Sequence, residues 1–435
     1  MRVSGIAFMG GAASRLLPAS IPFRFFGAAA AYQLLAWIAL LAGASDVPRF
    51  AGGLGWPLAA LHLATLGVLV MTAMGASLQL LPVATRRPVA AHRWPATIWW
   101  LYTPGVAAVA LGMGLPAPVL LAIGTVVVGV ALVAYAVLLA RNLLGASGMP
   151  VVIAHGYAAL AALVVALVTA VSLVCAYLGI PLFERSSALA LHMTFAAYGF
   201  MGLLAFGLSY VLVPMFALAA APDERRARLS LILAVTALLL AAAAAAGVAP
   251  QPLRIAAVGT GAGAVVLHWR LMNSALTTGM RRSLGRSVTL MKFGWACLAA
   301  SLAAGLGIAC DVPFDGTAAL FGLLLVAGWL LTFLLGVLQR IVPFLASMHR
   351  APGKRLPPTP SSLTAERPLA THFACHLAAL ALLAVAIVAG NPWFAAAGAL
   401  AGGAGAVAFG SFLATVLRRM SLPDVPAGAR EASVG

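Results

Sequence analysis

HLATLGVLVMTAMGASLQLLP (residues 62–82), HMTFAAYGFMGLLAFGLSYVLVP (192–214) and LFGLLLVAGWLLTFLLGVLQRIVP (320–343) carry one pattern three times. Each holds a glycine, a second glycine eight positions on and a proline seven beyond that: Gly67, Gly75, Pro82; Gly199, Gly207, Pro214; Gly328, Gly336, Pro343. The first glycines recur at intervals of 132 and 129 residues. A spacing of eight is close to two helical turns, so paired glycines fall near one helix face and allow a neighbouring helix to approach closely, as small residues do in bilayers. A weaker echo, GAGAV at 261–265 and again at 403–407, extends the pattern toward the end of the chain.

The rest of the sequence places these three stretches in a membrane. Of 435 residues, 63% are hydrophobic and 8% charged, with a mean hydropathy of +1.06. Soluble proteins carry roughly 25% charged residues, so there is too little charge here to solvate a globule of this size. A membrane helix needs roughly 20 apolar residues. Apolar stretches bounded by Pro, Gly or charge predict spans at 26–45, 57–82, 96–114, 117–140, 152–180, 187–217, 229–248, 253–273, 290–310, 316–346, 370–390 and 393–417. The pattern stretches are spans two, six and ten, four spans apart. The predicted fold is therefore an all-α, polytopic membrane protein of about twelve transmembrane helices in three pseudo-repeats of four, over about 26–140, 152–273 and 290–417. These repeats make one transmembrane domain, 26–417, between a cytoplasmic N-terminal segment, 1–25, and a cytoplasmic tail, 418–435.

The net charge of +17 tests that count. Of 26 Lys and Arg, 23 sort to the two termini and the loops after even-numbered spans, leaving Arg49, Arg185 and Arg254 opposite. The positive-inside rule expects this of an even number of spans with both termini cytoplasmic, here in a cell's inner membrane. A missed helix would scramble the sorting. The basic excess is thus a topology signal, and no soluble domain exists to present a nucleic-acid-binding face. Residues 1–25 hold three arginines and no continuous apolar core, unlike a signal peptide or a span. APGKRLPPTPSS, 351–362, reads as a flexible cytoplasmic loop, and Cys175, Cys297, Cys310 and Cys375, without metal-type spacing, read as small buried hydrophobes.

Topology also sorts the eight histidines. His92 and His349 fall in basic loops and read as solvated. His155, His268, His372 and His376 fall near cytoplasmic helix ends, within reach of the headgroups. Only His62 and His192 lie inside spans near the outer leaflet, on equivalent helices but two residues apart in the repeat frame. An ionisable side chain at that depth faces the bundle interior or a partner. Two readings stay open: ligation of haem iron or copper by neutral imidazole, or a hydrogen bond between helices. His372 and His376, four apart and beside Cys375, share a helix face with a spacing that can chelate a metal.

Twelve spans in three pseudo-repeats, with a histidine in span two followed by Gly-rich apolar sequence ending in Pro, resemble haem-copper oxidase subunit I, and more closely its divergent NnrS-like relatives. The likeness rests on the three stretches quoted above. It implies that His62 matches the span-two ligand of the low-spin haem, and that His192 sits on the helix giving the oxidases a copper ligand. The match stops at spans seven and ten, which lack the histidines an oxygen-reducing centre needs. The resemblance thus implies an inner-membrane protein that binds haem, with copper as a second candidate, between spans two and six. It would serve nitric oxide or respiratory stress responses beside respiratory-chain components, with Tyr198 and Tyr210 as candidate lining residues. Two alternatives are a cofactor-free scaffold for respiratory-complex assembly and a small-solute transporter. Transporters commonly show inverted repeats and midspan charge; three parallel repeats almost without midspan charge argue against one here.

Overall fold

The structure is a computed structural model describing residues 17–84, 93–146, 148–281, 284–312, 315–350 and 358–421. Twelve helices among these are long and apolar enough to cross a membrane: α1 Ser20–Ala42, α2 Trp56–Pro82, α3 Arg93–Gly114, α4 Pro118–Leu143, α5 Pro150–Tyr177, α6 Arg185–Ala217, α7 Glu224–Ala245, α8 Pro250–Thr278, α9 Gly285–Ala309, α10 Thr317–Arg350, α11 Glu366–Ala389 and α12 Pro392–Ser421. No β-strand occurs among the described residues. The protein is an all-α, multi-pass membrane protein.

Several helices start earlier than hydropathy alone predicts. α1 begins at Ser20, α9 at Gly285 and α11 at Glu366, so Arg24, Arg286 and Arg367 lie within helices rather than in loops. Helix ends can carry charge into the interfacial region, where long basic side chains reach out to water.

Helix packing repeats with the sequence. α1 packs on α2, α5 on α6 and α9 on α10. α3/α4, α7/α8 and α11/α12 form tight antiparallel pairs. The ring closes by contact of α4 with α5, α8 with α9, and α12 with α1. The three pattern helices form the centre: 67%, 78% and 61% of the most apolar windows of α2, α6 and α10 are buried, against 28–44% for the other nine. The rim faces lipid, as Val119, Val126, Val130, Val133 and Val137 show along the outer face of α4.

The glycine pairs explain how the centre is built. A Cβ on Gly67 would lie 2.7 Å from Tyr32 Cβ, and one on Gly75 would lie 2.7 Å from Phe25 Cβ. Gly199 and Gly207 meet Ala162 and His155 in the same way, both at 2.7 Å. Gly328 meets Cys297 at 3.0 Å, and Gly336 meets Leu290 at 3.2 Å, with the Ser287 carbonyl nearer still. In every repeat the two partners are seven apart on the preceding helix, matching glycines eight apart on the central one. Each pair is thus a slot that lets the first helix of a repeat lie directly against the backbone of the second.

One feature of the centre has no sequence signature. Each central helix widens into a π-wound segment, at Leu63–Val70, Thr194–Gly202 and Leu323–Leu331, and each segment contains the first glycine of its pair. π turns are rare and occur chiefly as single turns at functional sites; three long ones in equivalent places mark the middle of the bundle. The segment of α10 packs on those of both α2 and α6. Neighbouring side chains also bond to their carbonyls. Tyr102 Oη donates to the Leu66 carbonyl at 3.0 Å, and Thr332 Oγ1 donates to the Ala327 carbonyl at 2.7 Å.

Candidate functional site

The π segments of α2 and α6 begin just after the two outer histidines. α10 contacts both helices, while α2 and α6 make little direct contact with each other. His62 and His192 face one another across that gap, half-buried, with ring centres 6.4 Å apart and planes within 13° of parallel. They are offset by two residues in the repeat frame. Two residues at 3.6 per turn rotate a side chain by about 200°, so the two histidines occupy different faces of equivalent helices.

Both rings are held in one tautomer. His62 Nδ1–H donates to the Leu58 carbonyl at 3.0 Å, and His192 Nδ1–H donates to the Ala166 carbonyl on α5, also at 3.0 Å. A carbonyl only accepts, so each neutral ring must carry its lone pair on Nε2. This backbone bond to the remote nitrogen is the usual support of a metal-ligating histidine. The reading in which the histidines satisfy interhelical hydrogen bonds holds in part, since His192 bonds to α5. It leaves both Nε2 atoms without a role.

The spacing suits a shared ligand. Imidazole nitrogens bind a metal at about 2.0–2.1 Å in zinc sites, and each lies roughly 1 Å from its ring centre, so opposed ligands have ring centres about 6.2 Å apart. Tyr198 and Tyr210 do not join this pair. Tyr198 stacks on Trp329 of α10 at 5.7 Å and its hydroxyl pairs with Ser301 of α9 at 3.0 Å, while Tyr210 belongs to a different cluster.

The inner histidines depart from expectation. His155, His268, His372 and His376 do not reach the headgroups: all four are no more than 1% exposed. Each faces a neighbouring helix instead of lipid, a distinction that loop sorting by depth cannot make. His372 and His376 are brought together, with ring centres 5.6 Å apart, but each has other engagements. His372 Nδ1–H donates to the Gly405 carbonyl at 3.1 Å, and His376 Nε2 lies 2.7 Å from Thr332 Oγ1, whose own proton goes to Ala327. Cys375 packs against Gly405 and joins neither ring. No group of three His, Cys, Asp or Glu able to hold a metal occurs among the described residues. His155 and His268 flank Tyr210 at 5.4 and 5.2 Å, a cluster the sequence did not reveal because its members lie on α5, α6 and α8. Gln33, Thr72 and Gln79, which sequence reading did not single out, are each buried with side-chain polar atoms unpartnered.

Other expectations change in detail. His349 sits in the last turn of α10 and packs edge-on against Phe23, 6.4 Å between centres, rather than lying free in a loop. Cys310 is exposed at the end of α9, and Cys175 and Cys375 are only partly buried; Cys297 alone of the four is buried. The loop after α10 is anchored downstream, where Arg419 of α12 donates to the carbonyls of Ser362 and Thr364. Its residues 351–357, like His92 and residues 1–16, lie outside the described residues.

The sequence matches no protein-family model and is not significantly similar to any curated protein.

Proposed function

We propose that this protein binds haem between α2 and α6, through Nε2 of His62 and Nε2 of His192. One observation carries the reading: two tautomer-fixed imidazoles face each other at 6.4 Å across a gap between helices, each with its lone pair on the unbonded nitrogen. Neutral histidine is the commonest protein ligand of haem iron, and the apolar walls of the central helices suit a porphyrin. His62 and His192 would hold the haem, and haem held by histidine would supply one-electron transfer. The residues of this chain fix the ligand orientation, through Leu58 and Ala166, and limit water. α7 holds no histidine and α10 holds only His349, in its last turn, so electron transfer or nitric oxide handling in respiratory stress fits better than oxygen reduction. The resemblance to NnrS-like proteins points the same way and offers copper as the alternative ligand. The sorting of 23 basic residues to one side supports an inner-membrane location with both termini in the cytoplasm, where respiratory-chain components are the natural partners.

The test is an absorption spectrum of protein purified in detergent from cells supplied with a haem precursor. A Soret band at one haem per chain is expected, abolished by His62→Ala with His192→Ala. A folded wild-type protein with neither Soret band nor stoichiometric metal overturns the reading.

A further inference from the structure

Away from the histidines, the seam between α1 and α3 carries a charge left over on the side of the membrane that gathers the basic residues. Arg24 of α1 is half-buried there, its guanidinium 5.7 Å from the centre of the Trp99 ring of α3, and Trp99 Nε1–H donates to the Arg24 carbonyl at 3.2 Å. The two helices are fastened again further in, where Tyr32 Oη of α1 donates to the Thr103 carbonyl of α3 at 2.5 Å. Arg24 Nε–H donates to the Ser20 carbonyl at 3.0 Å, one turn back on its own helix. A guanidinium has five N–H donors, and those on the two terminal amino groups of Arg24 have no hydrogen-bond partner among the described residues. The indole and the Nε bond thus hold the group in place and leave its fork open.

No carboxylate of this chain is placed to take that charge. Asp46, beyond the far end of α1, is the only acid before Glu184. The acids described on the basic side are engaged elsewhere: Asp223 caps α7, Glu224 pairs with Arg228 at 2.8 Å and Glu366 pairs with Arg286 at 3.5 Å. α1 and α3 both begin on this side, so their dipoles add to the positive potential. Next to the seam, α3 turns Arg93, Thr97 and Trp100 outward on one face, at i, i+4 and i+7, and all three are exposed. Trp100 is 67% exposed, with its ring 4.7 Å from that of Trp99. Contacts therefore run from an open guanidinium through Trp99 to an indole on the lipid-facing rim. Tryptophan is enriched at this level, where headgroups meet acyl chains.

We propose that the seam of α1 and α3 holds one anionic phospholipid, with its phosphate on the terminal amino groups of Arg24 and its glycerol and upper acyl chains against Trp100. A guanidinium meets phosphate with two parallel N–H donors, a geometry that an ammonium group does not reproduce. Trp99 takes the face of the guanidinium and leaves its edge to the ligand. Arg93, exposed on the adjoining face of α3, adds attraction without touching the phosphate. Charge decides the class of lipid: a zwitterionic headgroup brings an ammonium group toward two arginines, whereas a lipid of net negative charge brings none. Free phosphate has a use for the arginine but none for the exposed indole, which makes a lipid the occupant. The site shares no residue with the His62–His192 pair and does not depend on haem being bound there.

The experiment exposes purified, delipidated protein to equal amounts of phosphatidylglycerol and phosphatidylcholine and reads the retained lipid by native mass spectrometry. In parallel, the protein is placed in phosphatidylcholine bilayers containing either lipid in brominated form, and quenching of tryptophan fluorescence is compared with that of Trp100→Phe to isolate the Trp100 signal. One phosphatidylglycerol retained per chain is expected, with the Trp100 signal quenched at least threefold more effectively by brominated phosphatidylglycerol than by brominated phosphatidylcholine. Arg24→Gln should abolish both preferences, and Arg24→Lys, which keeps the charge without the fork, should restore only part. Arg228→Gln, on the same side but paired with Glu224, should change neither. Equal retention of the two lipids by wild type, equal losses in Arg24→Gln and Arg228→Gln, full recovery by Arg24→Lys, or release of the lipid by excess inorganic phosphate at constant ionic strength would overturn the proposal. The first of these needs no variant, so misfolding of a substituted protein does not shield it.

Discussion

The outer and inner histidine pairs show two ways of placing imidazole in a membrane protein. His62 and His192 sit half-buried across a gap between two central helices, each tied to a backbone carbonyl and otherwise open. His155 and His268 are sealed within one repeat, on a first helix and a fourth, around a tyrosine of the central helix between them. The outer pair thus spans two repeats, whereas the inner pair is enclosed within one. The difference comes from repeat geometry. Between repeats the central helices α2 and α6 meet chiefly through α10, and within a repeat the glycine slots bring the helices into direct contact.

The sharpest way to break this contrast is to exchange the substitutions. Removing the outer pair should abolish the Soret band entirely, and His155→Leu with His268→Leu should leave it at full height. Equal loss in both variants would mean that the two pairs serve one cofactor and that the contrast is false.

A smaller effect tests the inner pair's packing. Gly207 is the slot in which His155 lies, where a Cβ would sit only 2.7 Å from His155 Cβ, while one on Gly129 at the rim would meet nothing within 4 Å. Gly207→Val should destabilise by about 1–3 kcal/mol, the usual range for overpacking a core. Gly129→Ala should leave the thermal midpoint in detergent unchanged or slightly raised. The third repeat offers a comparison of similar size. Thr332→Val leaves the buried His376 Nε2 without its partner at 2.7 Å, a loss of about 1–3 kcal/mol. Adding His376→Leu should recover part of it, since an unmade bond costs more than an absent one.

Much of this architecture can be read from the sequence, and the parts that cannot share a cause. Apolar length gave twelve spans, and the Gly–Gly–Pro stretches identified the three central helices, because close helix approach demands a residue without a side chain. The same stretches carry His62 and His192, and depth alone singled them out. The inner histidines were misplaced because position along a helix says how deep a residue lies but not which way it faces. His155 and His268, 113 residues apart, meet only through the three-dimensional order of α5, α6 and α8. The π segments were invisible for a related reason. Their sequences, LATLGVLV, TFAAYGFMG and LLLVAGWLL, have no feature that distinguishes them from α-helical spans.

The smallest effect concerns the exposed end of the helix bearing His192. Glu184 is the N-cap of α6, accepting from the Ser186 hydroxyl at 2.5 Å and from the backbone N–H groups of Ser186 and Ser187 at 2.9 and 2.7 Å. The Ser186 hydroxyl foremost, with those two N–H groups, holds the carboxyl down from its ordinary 4.5 to about 2. A depressed folded-state value means that the cap's contribution is complete above the unfolded value and fades as pH falls from 4.5 toward 2. α6 should therefore fray from its outer end in that window, and His192, two turns in, should loosen with it. Glu184→Gln keeps an accepting oxygen but removes the charge, so it should flatten the acid dependence of outer-helix hydrogen exchange between pH 4.5 and 2 while leaving exchange around His155 untouched. If both regions respond alike, the outer and inner pairs share one cooperative unit instead of two.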